Sequence, residues 1–193
     1  MREAGMGAAL IYVVGASGSG KDSLMRYARE RLCTDPGICF AHRYITRPAG
    51  AGGENHVALT EEEFAARCQA RLFALHWESH GLRYGIGIEL NQWLGKGVTV
   101  VVNGSREYLH EAWKRYPELL PVHIEVAHDV LRERLLSRGR ETPAQVEKRL
   151  ERNRGLQSCG FHGTVIPNNE TLDVAGEALV DLIRKCSGAF ACA

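Results

Sequence analysis

The sequence has no apolar run that approaches the length of a membrane-spanning helix. The apolar part of its first segment, MREAGMGAALIYVVG, is short and runs directly into a glycine loop, which is not the pattern of a cleavable leader. Net charge is nearly absent, because 24 basic side chains face 23 acidic ones, and this balance disfavours nucleic acid binding. We therefore expect a cytoplasmic protein that binds neither a membrane nor a nucleic acid.

Cysteine is present without a pattern. The six cysteines form no CxxC pair, and none falls in a metal-ligand spacing with a nearby histidine. We expect reduced thiols that serve mainly in packing. A length of 193 residues, with 45% hydrophobic and 24% charged residues, suits a single globular domain over residues 1–193. The sequence leaves the oligomeric state open.

Apolar segments alternate with segments of helical periodicity along most of the chain. The run ALIYVV (9–14) is continuous and ends on glycine, as does a strand buried on both faces of a parallel sheet. The segment 22–32 places four apolar side chains on one helical face. This alternation predicts an α/β fold, a doubly wound and mostly parallel sheet with helices on both faces and ligands at the carboxyl ends of the strands.

The stretch GASGSGKDSL, between the first strand and the first helix, has the composition of a phosphate-binding loop. Backbone N–H groups in such a loop point into a concavity, and glycines permit that backbone path. The helix adds its positive end, and Lys21 supplies a charge for the terminal phosphates. A chance glycine turn is the alternative, but the strand before, the helix after and the lysine favour a P-loop NTPase. The residues predicted to bind the nucleotide are Gly15, Ala16, Ser17, Gly18, Ser19, Gly20, Lys21, Asp22 and Ser23.

Asp22 stands where the phosphate-loop pattern has a serine or threonine. A carboxylate aimed at the phosphates would repel them, so we expect Asp22 either to point away or to contact Mg²⁺ through water. Ser23, one position later, is the hydroxyl that we assign to the metal. The predicted cofactors are therefore ATP and Mg²⁺.

Four motifs resemble those of the guanylate kinase family. GASGSGK is similar to its first motif, and YITRP to its Thr-Thr-Arg-x-Pro stretch, which implies that Arg47 binds the acceptor's phosphate. ESHGLRYG resembles its Glu-x-x-Gly-x-x-Tyr-Gly stretch and carries over Glu78 and Tyr84. RLLSRGRETPAQVEKRLER resembles its arginine-rich lid. The corresponding lid arginines are Arg134, Arg138, Arg140 and Arg149.

This resemblance also implies a division of the domain and a set of roles. It implies a core of residues 8–37 and 97–193, a small acceptor-binding subdomain over about 38–96, and a lid over about 134–154. The residues to which it assigns catalysis are Lys21, Arg138, Arg140 and Arg149. It adds Arg134 to the nucleotide-binding residues.

Three departures separate the sequence from the guanylate kinases. The stretch PAGAGGENHVAL lacks the family's second arginine and has His56 near its tyrosine position. Ile86 and Gly87 follow the pair Tyr84-Gly85, where that family follows Tyr-Gly with Thr-Ser. The central strand ends at Asn103 where that family has an aspartate. A site that must hydrogen-bond a purine edge loses heavily when those groups are missing. We therefore do not expect guanine in the acceptor.

The combination SGSGKDSL, RYITRP, GENHVAL, HWESHGLRYGI and VVVNGSR resembles instead the ribose 1,5-bisphosphate phosphokinase family, guanylate-kinase-like enzymes of phosphonate catabolism. That family uses ATP to phosphorylate the 1-phosphate of ribose 1,5-bisphosphate, which yields 5-phosphoribosyl 1-diphosphate (PRPP). The implied partners are this small phosphosugar and ATP. The residues implied to bind the acceptor are Arg47, Arg43, Tyr84, Glu78, Asn103 and His56, with Arg83 as a further candidate.

Several alternatives stay open at this point. Arg43 could lie on the solvent face of its strand, His56 could be a spacer in its loop, and the lid arginines could form a solvated helix face. The chain as a whole could be a guanylate kinase with relaxed base recognition. It could also be a guanylate-kinase-like binding module without activity, although such a module would be expected to lose Lys21 or the lid arginines.

Overall fold

Two sheets organise the protein, whose computed structural model describes residues 8–51, 54–139, 142–157 and 161–187. The larger sheet has five strands, and every neighbouring pair in it runs parallel. In spatial order its strands are β2 (Ile38–Phe40), β7 (Thr99–Asn103), β1 (Leu10–Gly15), β8 (Leu120–Glu125) and β9 (Thr164–Pro167).

Both faces of this parallel sheet are buried, as its apolar strands require. Ile11 and Val13 of β1 point to the face that is covered by helices α1 (Lys21–Arg31) and α7 (Leu172–Cys186). The alternate side chains of β1 point to the opposite face, where helices α3 (Glu89–Gly95) and α4 (Leu109–Arg115) pack. The predicted α/β fold, with a mostly parallel sheet and helices on both faces, is confirmed.

The smaller sheet has four strands and lies beside the face that α3 and α4 cover. Its order is β4 (Val57–Ala58), β3 (Arg43–Ile45), β6 (Leu82–Gly87) and β5 (Phe73–Ser79), and β6 runs antiparallel to both of its neighbours. Helix α2 (Glu61–Gln69) begins at Thr60, whose hydroxyl accepts the Glu63 N–H at 3.1 Å as the capping pattern predicts. Phe64 of this helix packs against the sheet.

The alternating pattern of ICFAHRYIT (38–46) predicts a single strand, and this prediction is wrong in one respect. The structure has two strands there, because β2 pairs with β7 in the parallel sheet whereas β3 pairs with β6 in the smaller one. The last bond to β7 runs from the Ala41 N–H to the Val101 carbonyl at 3.0 Å, after which the chain crosses between sheets. β2 therefore belongs to the central sheet and not to the smaller one.

The segment predicted as a lid, about 134–154, covers the end of helix α5 (His128–Ser137) and most of helix α6 (Pro143–Gln157). Leu131 and Leu135 of α5 pack against Val146 and Leu150 of α6. The break between the two helices includes Gly139, whose φ of 61° ends the first helix in a left-handed conformation. Thr142 and Gln145 cap the second helix reciprocally, since each side chain accepts the backbone N–H of the other.

The pattern REYLHEAWKRYP (106–117) predicts a longer helix than α4. Helix α4 begins at Leu109, because Arg106–Tyr108 form a turn after β7. The buried Tyr12 hydroxyl accepts the Ser105 N–H at 3.0 Å and so holds the start of this turn against the centre of the sheet. Within the described ranges, none of the helices combines the length and the apolar character needed to cross a membrane.

Gly104, between β7 and this turn, has no room for a side chain. A Cβ there would lie 2.2 Å from a ring carbon of Tyr12, so we expect Gly104→Ala to lower the free energy of unfolding by about 1–3 kcal/mol through overpacking. Urea titration measures the loss. Gly95→Ala is the matched control, because nothing lies within 4 Å of that position. Equal stability of the two variants would contradict the packing that we describe.

Candidate active site

The carboxyl ends of the parallel strands and the facing side of the smaller sheet enclose a cavity of about 480 Å³. This is the edge at which an α/β sheet is expected to bind its ligands. Thirteen of the residues predicted to form the site line this cavity: Gly15, Ala16, Ser17, Gly18, Gly20, Lys21, Asp22, Ser23, Arg43, Arg47, Tyr84, Arg138 and Arg149.

The glycine loop is held tightly at two positions where the backbone has positive φ. A Cβ on Gly18 (φ 97°) would lie 2.8 Å from Leu135, and one on Gly20 (φ 84°) would lie 2.6 Å from the Asn168 amide nitrogen. The same amide donates to the Ser19 carbonyl at 2.7 Å. The loop therefore needs glycine both for its backbone conformation and for the close approach of α5 and of the residue that follows β9.

The first turn of α1 faces the cavity with Lys21, Asp22 and Ser23. Gly20 precedes the helix and supplies no side-chain cap, so the first backbone N–H groups are not bonded by a capping side chain. Together with the helix dipole, such groups attract an anion. The arrangement can bind the phosphates of a nucleotide, which is the chemistry that the loop sequence predicts.

Lys21 is the only residue of the loop with a long cationic side chain, and its ammonium group lies at the centre of a small network. It donates to the Asn103 side-chain oxygen and lies 3.4 Å from an Asp22 carboxylate oxygen. Burial lowers the pKa of the Lys21 ammonium, while the neighbouring carboxylate of Asp22 opposes that effect. Burial alone would raise the pKa of Asp22, but the charges of Lys21 and Arg43 hold it below its usual range.

Two arginines of the smaller sheet bring positive charge to the opposite wall. Arg43 lies on β3, and its guanidinium donates to Glu54 through Nε at 2.5 Å and through Nη2. Arg47 follows the same strand, with its Nη2 3.6 Å from Glu54 and 3.3 Å from the His56 ring. His56 is buried and lies against the Arg47 carbonyl at 3.2 Å. Arg43 therefore faces the cavity and not the solvent.

Aromatic rings form the rest of this wall. The Trp77 ring stacks on Tyr84, with centroids 5.5 Å apart and planes 5° apart, and it also stacks on Tyr108. The Arg43 guanidinium lies 5.0 Å from the Tyr84 ring centroid in a cation–π contact. Ile86, where a guanylate kinase has a hydroxyl, is buried in the core.

The predicted lid arginines differ in position. Arg138 and Arg149 line the cavity. Arg134 does not line it, because its guanidinium donates to the Asn168 carbonyl at 2.8 Å and to the Glu170 carbonyl at 3.4 Å. Arg140 lies outside the described residues.

Four other predicted residues also lie away from the cavity lining. Ser19 belongs to the glycine loop, but its side chain is buried and does not face the cavity, and His56 lies behind Arg47. Asn103 lines a small adjoining pocket of about 80 Å³, where its amide groups bond Lys21, Asp22 and Glu54. Glu78 is exposed on β5, so the structure does not bring it to the site. Its cross-strand neighbour Arg83 packs over Phe64 and pairs with Glu61 at 3.7 Å.

Curated relatives share most of the length of this chain. A "Ribose 1,5-bisphosphate phosphokinase PhnN" from Thiobacillus denitrificans is 60% identical over 174 residues, which cover 90% of this chain and 92% of the relative. Proteins of the same name from Psychromonas ingrahamii and Burkholderia mallei are each 53% identical, over 91% of this chain and 89% and 95% of their own lengths. The chain belongs to the ribose 1,5-bisphosphate phosphokinase PhnN family.

Among solved structures, the guanylate kinase from Anaplasma phagocytophilum is similar to the PhnN-family chain with a TM-score of 0.67. The match covers 95% of this chain and 88% of that one at 16% sequence identity, so it shows a shared guanylate-kinase-like fold and no more. No family model matches the chain.

Several cavity residues of the PhnN-family chain were not predicted from its sequence. Glu54 lies in the glycine-rich stretch RPAGAGGEN, whose composition predicts a mobile loop, and Trp77 lies in an apolar segment whose pattern predicts a packing residue, yet both line the cavity. Arg106 donates to Asn153 at 3.3 Å, and both line the cavity. The available signal for Arg106 was its position three residues after β7, at the carboxyl edge of the sheet. Asn168 directly follows β9 at the same edge and contacts the phosphate loop without lining the cavity.

The network around Lys21 predicts a pH dependence for phosphate binding. Asp22→Asn removes a negative charge that raises the pKa of Lys21, so the ammonium should lose its proton at lower pH than in the unaltered chain. We expect the midpoint at which affinity for inorganic tripolyphosphate declines with rising pH to move toward neutrality. Calorimetric titrations from neutral to alkaline pH measure it.

The pH midpoint is compared between the variants, and not the affinity for tripolyphosphate itself. The affinity also changes because the Asp22 carboxylate repels the anion and the asparagine does not. Asp173→Asn is the control, since that carboxylate is at the start of α7 and outside the cavity lining. An unchanged midpoint in Asp22→Asn would contradict the coupling between Asp22 and Lys21.

Proposed function

We propose that this chain transfers the terminal phosphoryl group of ATP to the 1-phosphate of ribose 1,5-bisphosphate. The observation that carries the proposal is that the phosphate loop with Lys21 and the two arginines Arg43 and Arg47 line one cavity. Curated relatives over about 90% of the chain are named for this reaction. The products are ADP and PRPP.

In the proposed step, an oxygen of the acceptor's 1-phosphate attacks the γ-phosphorus of ATP. The new P–O bond forms as the bond between the γ-phosphorus and the bridging oxygen of ADP breaks, and the leaving electron pair stays on ADP. The attacking oxygen is already ionised, so no general base is needed. Phosphoryl transfer of this kind depends on positioning and on neutralisation of charge.

The nucleotide is held by the loop and by the first turn of α1. Backbone N–H groups within Gly18 to Lys21 and the Lys21 ammonium would bind the ATP phosphates, although the Ser19 N–H donates to the Ala16 carbonyl at 3.0 Å in this structure. Ser23 and Asp22 offer oxygen ligands beside them, which fits Mg²⁺, and the metal when bound would neutralise phosphate charge. Among the described residues, no cluster of three or more His, Cys, Asp or Glu side chains could hold a metal by itself.

The lid arginines would stabilise charge on the transferring group. Arg138 and Arg149 line the cavity and are our candidates for this role. Arg140, which lies outside the described residues, remains a candidate from the sequence. We assign Arg134 a different role, because its bonds to the Asn168 and Glu170 carbonyls connect α5 to the segment after β9. The break at Gly139 would let α6 approach the nucleotide and exclude water.

The acceptor half of the cavity is suited to a phosphosugar and not to a base. Arg43, Arg47 and Tyr84 offer cations and a hydroxyl, with His56 behind Arg47. The side-chain oxygen of Asn103 accepts from Lys21, and its amide nitrogen donates to Asp22 and Glu54. Because both groups of this amide are engaged within the protein, Asn103 is not available to hydrogen-bond the edge of a purine. This disfavours a guanylate kinase, and the presence of Lys21 with the cavity arginines disfavours an inactive binding module. By family resemblance, we infer a cytoplasmic enzyme of phosphonate catabolism.

The acceptor is tested directly by offering ribose 1,5-bisphosphate and GMP in parallel to the purified protein with ATP and Mg²⁺. We expect ADP release with formation of PRPP from the sugar, and kcat/KM for GMP lower by at least about 10⁴, since a site without base partners rejects that acceptor strongly. Strong transfer to GMP would contradict the assignment of the acceptor. Transfer to neither compound would favour the binding module.

The role of Lys21 is tested with Lys21→Ala. We expect kcat to fall by at least about 10²–10³ because a charge that stabilises the transferring phosphates is lost. The fold should remain, as judged by circular dichroism and urea titration. Lys114→Ala is the matched control, since that lysine is exposed and pairs with Glu111 at 2.7 Å on α4. A near-normal rate in Lys21→Ala would refute the mechanism.

A further inference from the structure

Glu54 is the most connected carboxylate of the site, although it belongs to neither of the motifs that bind phosphate. Its side chain is only 9% exposed. One carboxylate oxygen accepts from Arg43 Nε at 2.5 Å and from Asn103 Nδ2 at 3.2 Å, and the other accepts from Arg43 Nη2. Arg47 Nη2 lies 3.6 Å from the same second oxygen. A single carboxylate therefore joins both acceptor arginines to the end of β7.

Asn103 continues this chain of contacts to the nucleotide loop. Its side-chain oxygen accepts from the Lys21 ammonium, and its amide nitrogen donates to Asp22 at 2.9 Å as well as to Glu54. The resulting path runs from Lys21 through Asn103 and Glu54 to Arg43. It crosses from the parallel sheet to the smaller sheet, and it connects residues that are 82, 49 and 11 positions apart in sequence.

The bonds to Glu54 also fix how Arg43 presents its charge. Its Nε and Nη2 are engaged with the carboxylate, and its guanidinium plane packs on the Tyr84 ring at 5.0 Å. Contacts on one edge and one face leave the guanidinium little freedom to turn. Without Glu54, two arginines would lie close together with no carboxylate between them, and the buried charge of Arg43 would be uncompensated.

We propose that Glu54 is a positioning residue that holds the acceptor arginines in register with Lys21, so that the acceptor's phosphate and the γ-phosphate of ATP meet in line. This inference rests on the proposed function. Glu54 acts through Arg43 and Asn103 and need not touch either substrate. A displacement of about 1 Å between reacting groups can cost about 100-fold in rate, which is the scale on which such a link would act.

The test is a kinetic comparison of Glu54→Gln with the unaltered chain. The glutamine keeps the size of the side chain but removes the charge that pairs with Arg43. We expect kcat to fall by at least about 10-fold, because the guanidinium loses its alignment. The affinity for a non-hydrolysable ATP analogue without acceptor, measured by calorimetry, should stay within about twofold, because the hydrogen bonds of the Glu54 carboxylate go to Arg43 and Asn103 and not to the phosphate loop.

A double-mutant cycle with Asn103→Ala tests the path itself. Glu54→Gln weakens the contact with Arg43 and Asn103→Ala removes the contact with Glu54, so both changes interrupt the same path. The double variant should therefore lose about as much kcat as the more damaged single variant. Glu63→Gln is the matched control, because this exposed carboxylate pairs with Arg67 on α2, at 3.1 Å, and its loss should leave kcat unchanged. Urea titration of each variant reports any loss of folding separately.

Three results would overturn the inference: an unchanged kcat in Glu54→Gln, losses that multiply in the double variant, or a loss of analogue affinity as large as the loss of turnover. The variants are assayed with whichever acceptor, ribose 1,5-bisphosphate or GMP, the unaltered chain phosphorylates. Transfer by the unaltered chain to GMP alone would refute the proposed function while leaving Glu54 testable. No transfer to either acceptor would refute both.

Discussion

Backbone pairing of β1 with β7 on one side and with β8 on the other fixes where the chemistry of this protein can lie. Because the three strands run parallel, their carboxyl ends meet at one edge, and each end carries a different part of the site. β1 ends in the phosphate loop, and β7 ends at Asn103. The apolar side chains that bury both faces of these strands stabilise the pairing and so determine the position of Lys21 relative to Asn103.

The smaller sheet holds several positive charges close together in the absence of substrate, and this arrangement carries an electrostatic cost. Arg43 and Arg47 repel one another, and Arg43 is largely buried. Glu54 compensates this charge, and the Tyr84 ring covers one face of the Arg43 guanidinium. The cost of burying ions is offset only when such partners are in place, and here the partners also connect the two sheets.

The parts of the site that the sequence predicted are those in which a local pattern sets the geometry. A glycine loop between an apolar strand and a helix needs no distant residue to be recognised, and Arg43, Arg47 and Tyr84 were found through short motifs. The missed features depend on contacts between distant segments. Glu54 gains its role only when β3 faces the end of β7, and the division of residues 38–46 into two strands depends on which sheet each half joins. Glu78 was predicted from its motif, yet strand alternation turns it to solvent.

The contact of α5 with the glycine loop has a mechanical consequence. Leu131 and Leu135 press against Gly18, and Arg134 ties the same helix to Asn168, whose side chain holds the Ser19 carbonyl. Helix α5 is therefore anchored to the phosphate loop through Leu131, Arg134 and Leu135, while its C-terminal end leads to Gly139. We therefore expect α5 and the phosphate loop to move as one unit, and any movement of the proposed lid to occur beyond Gly139.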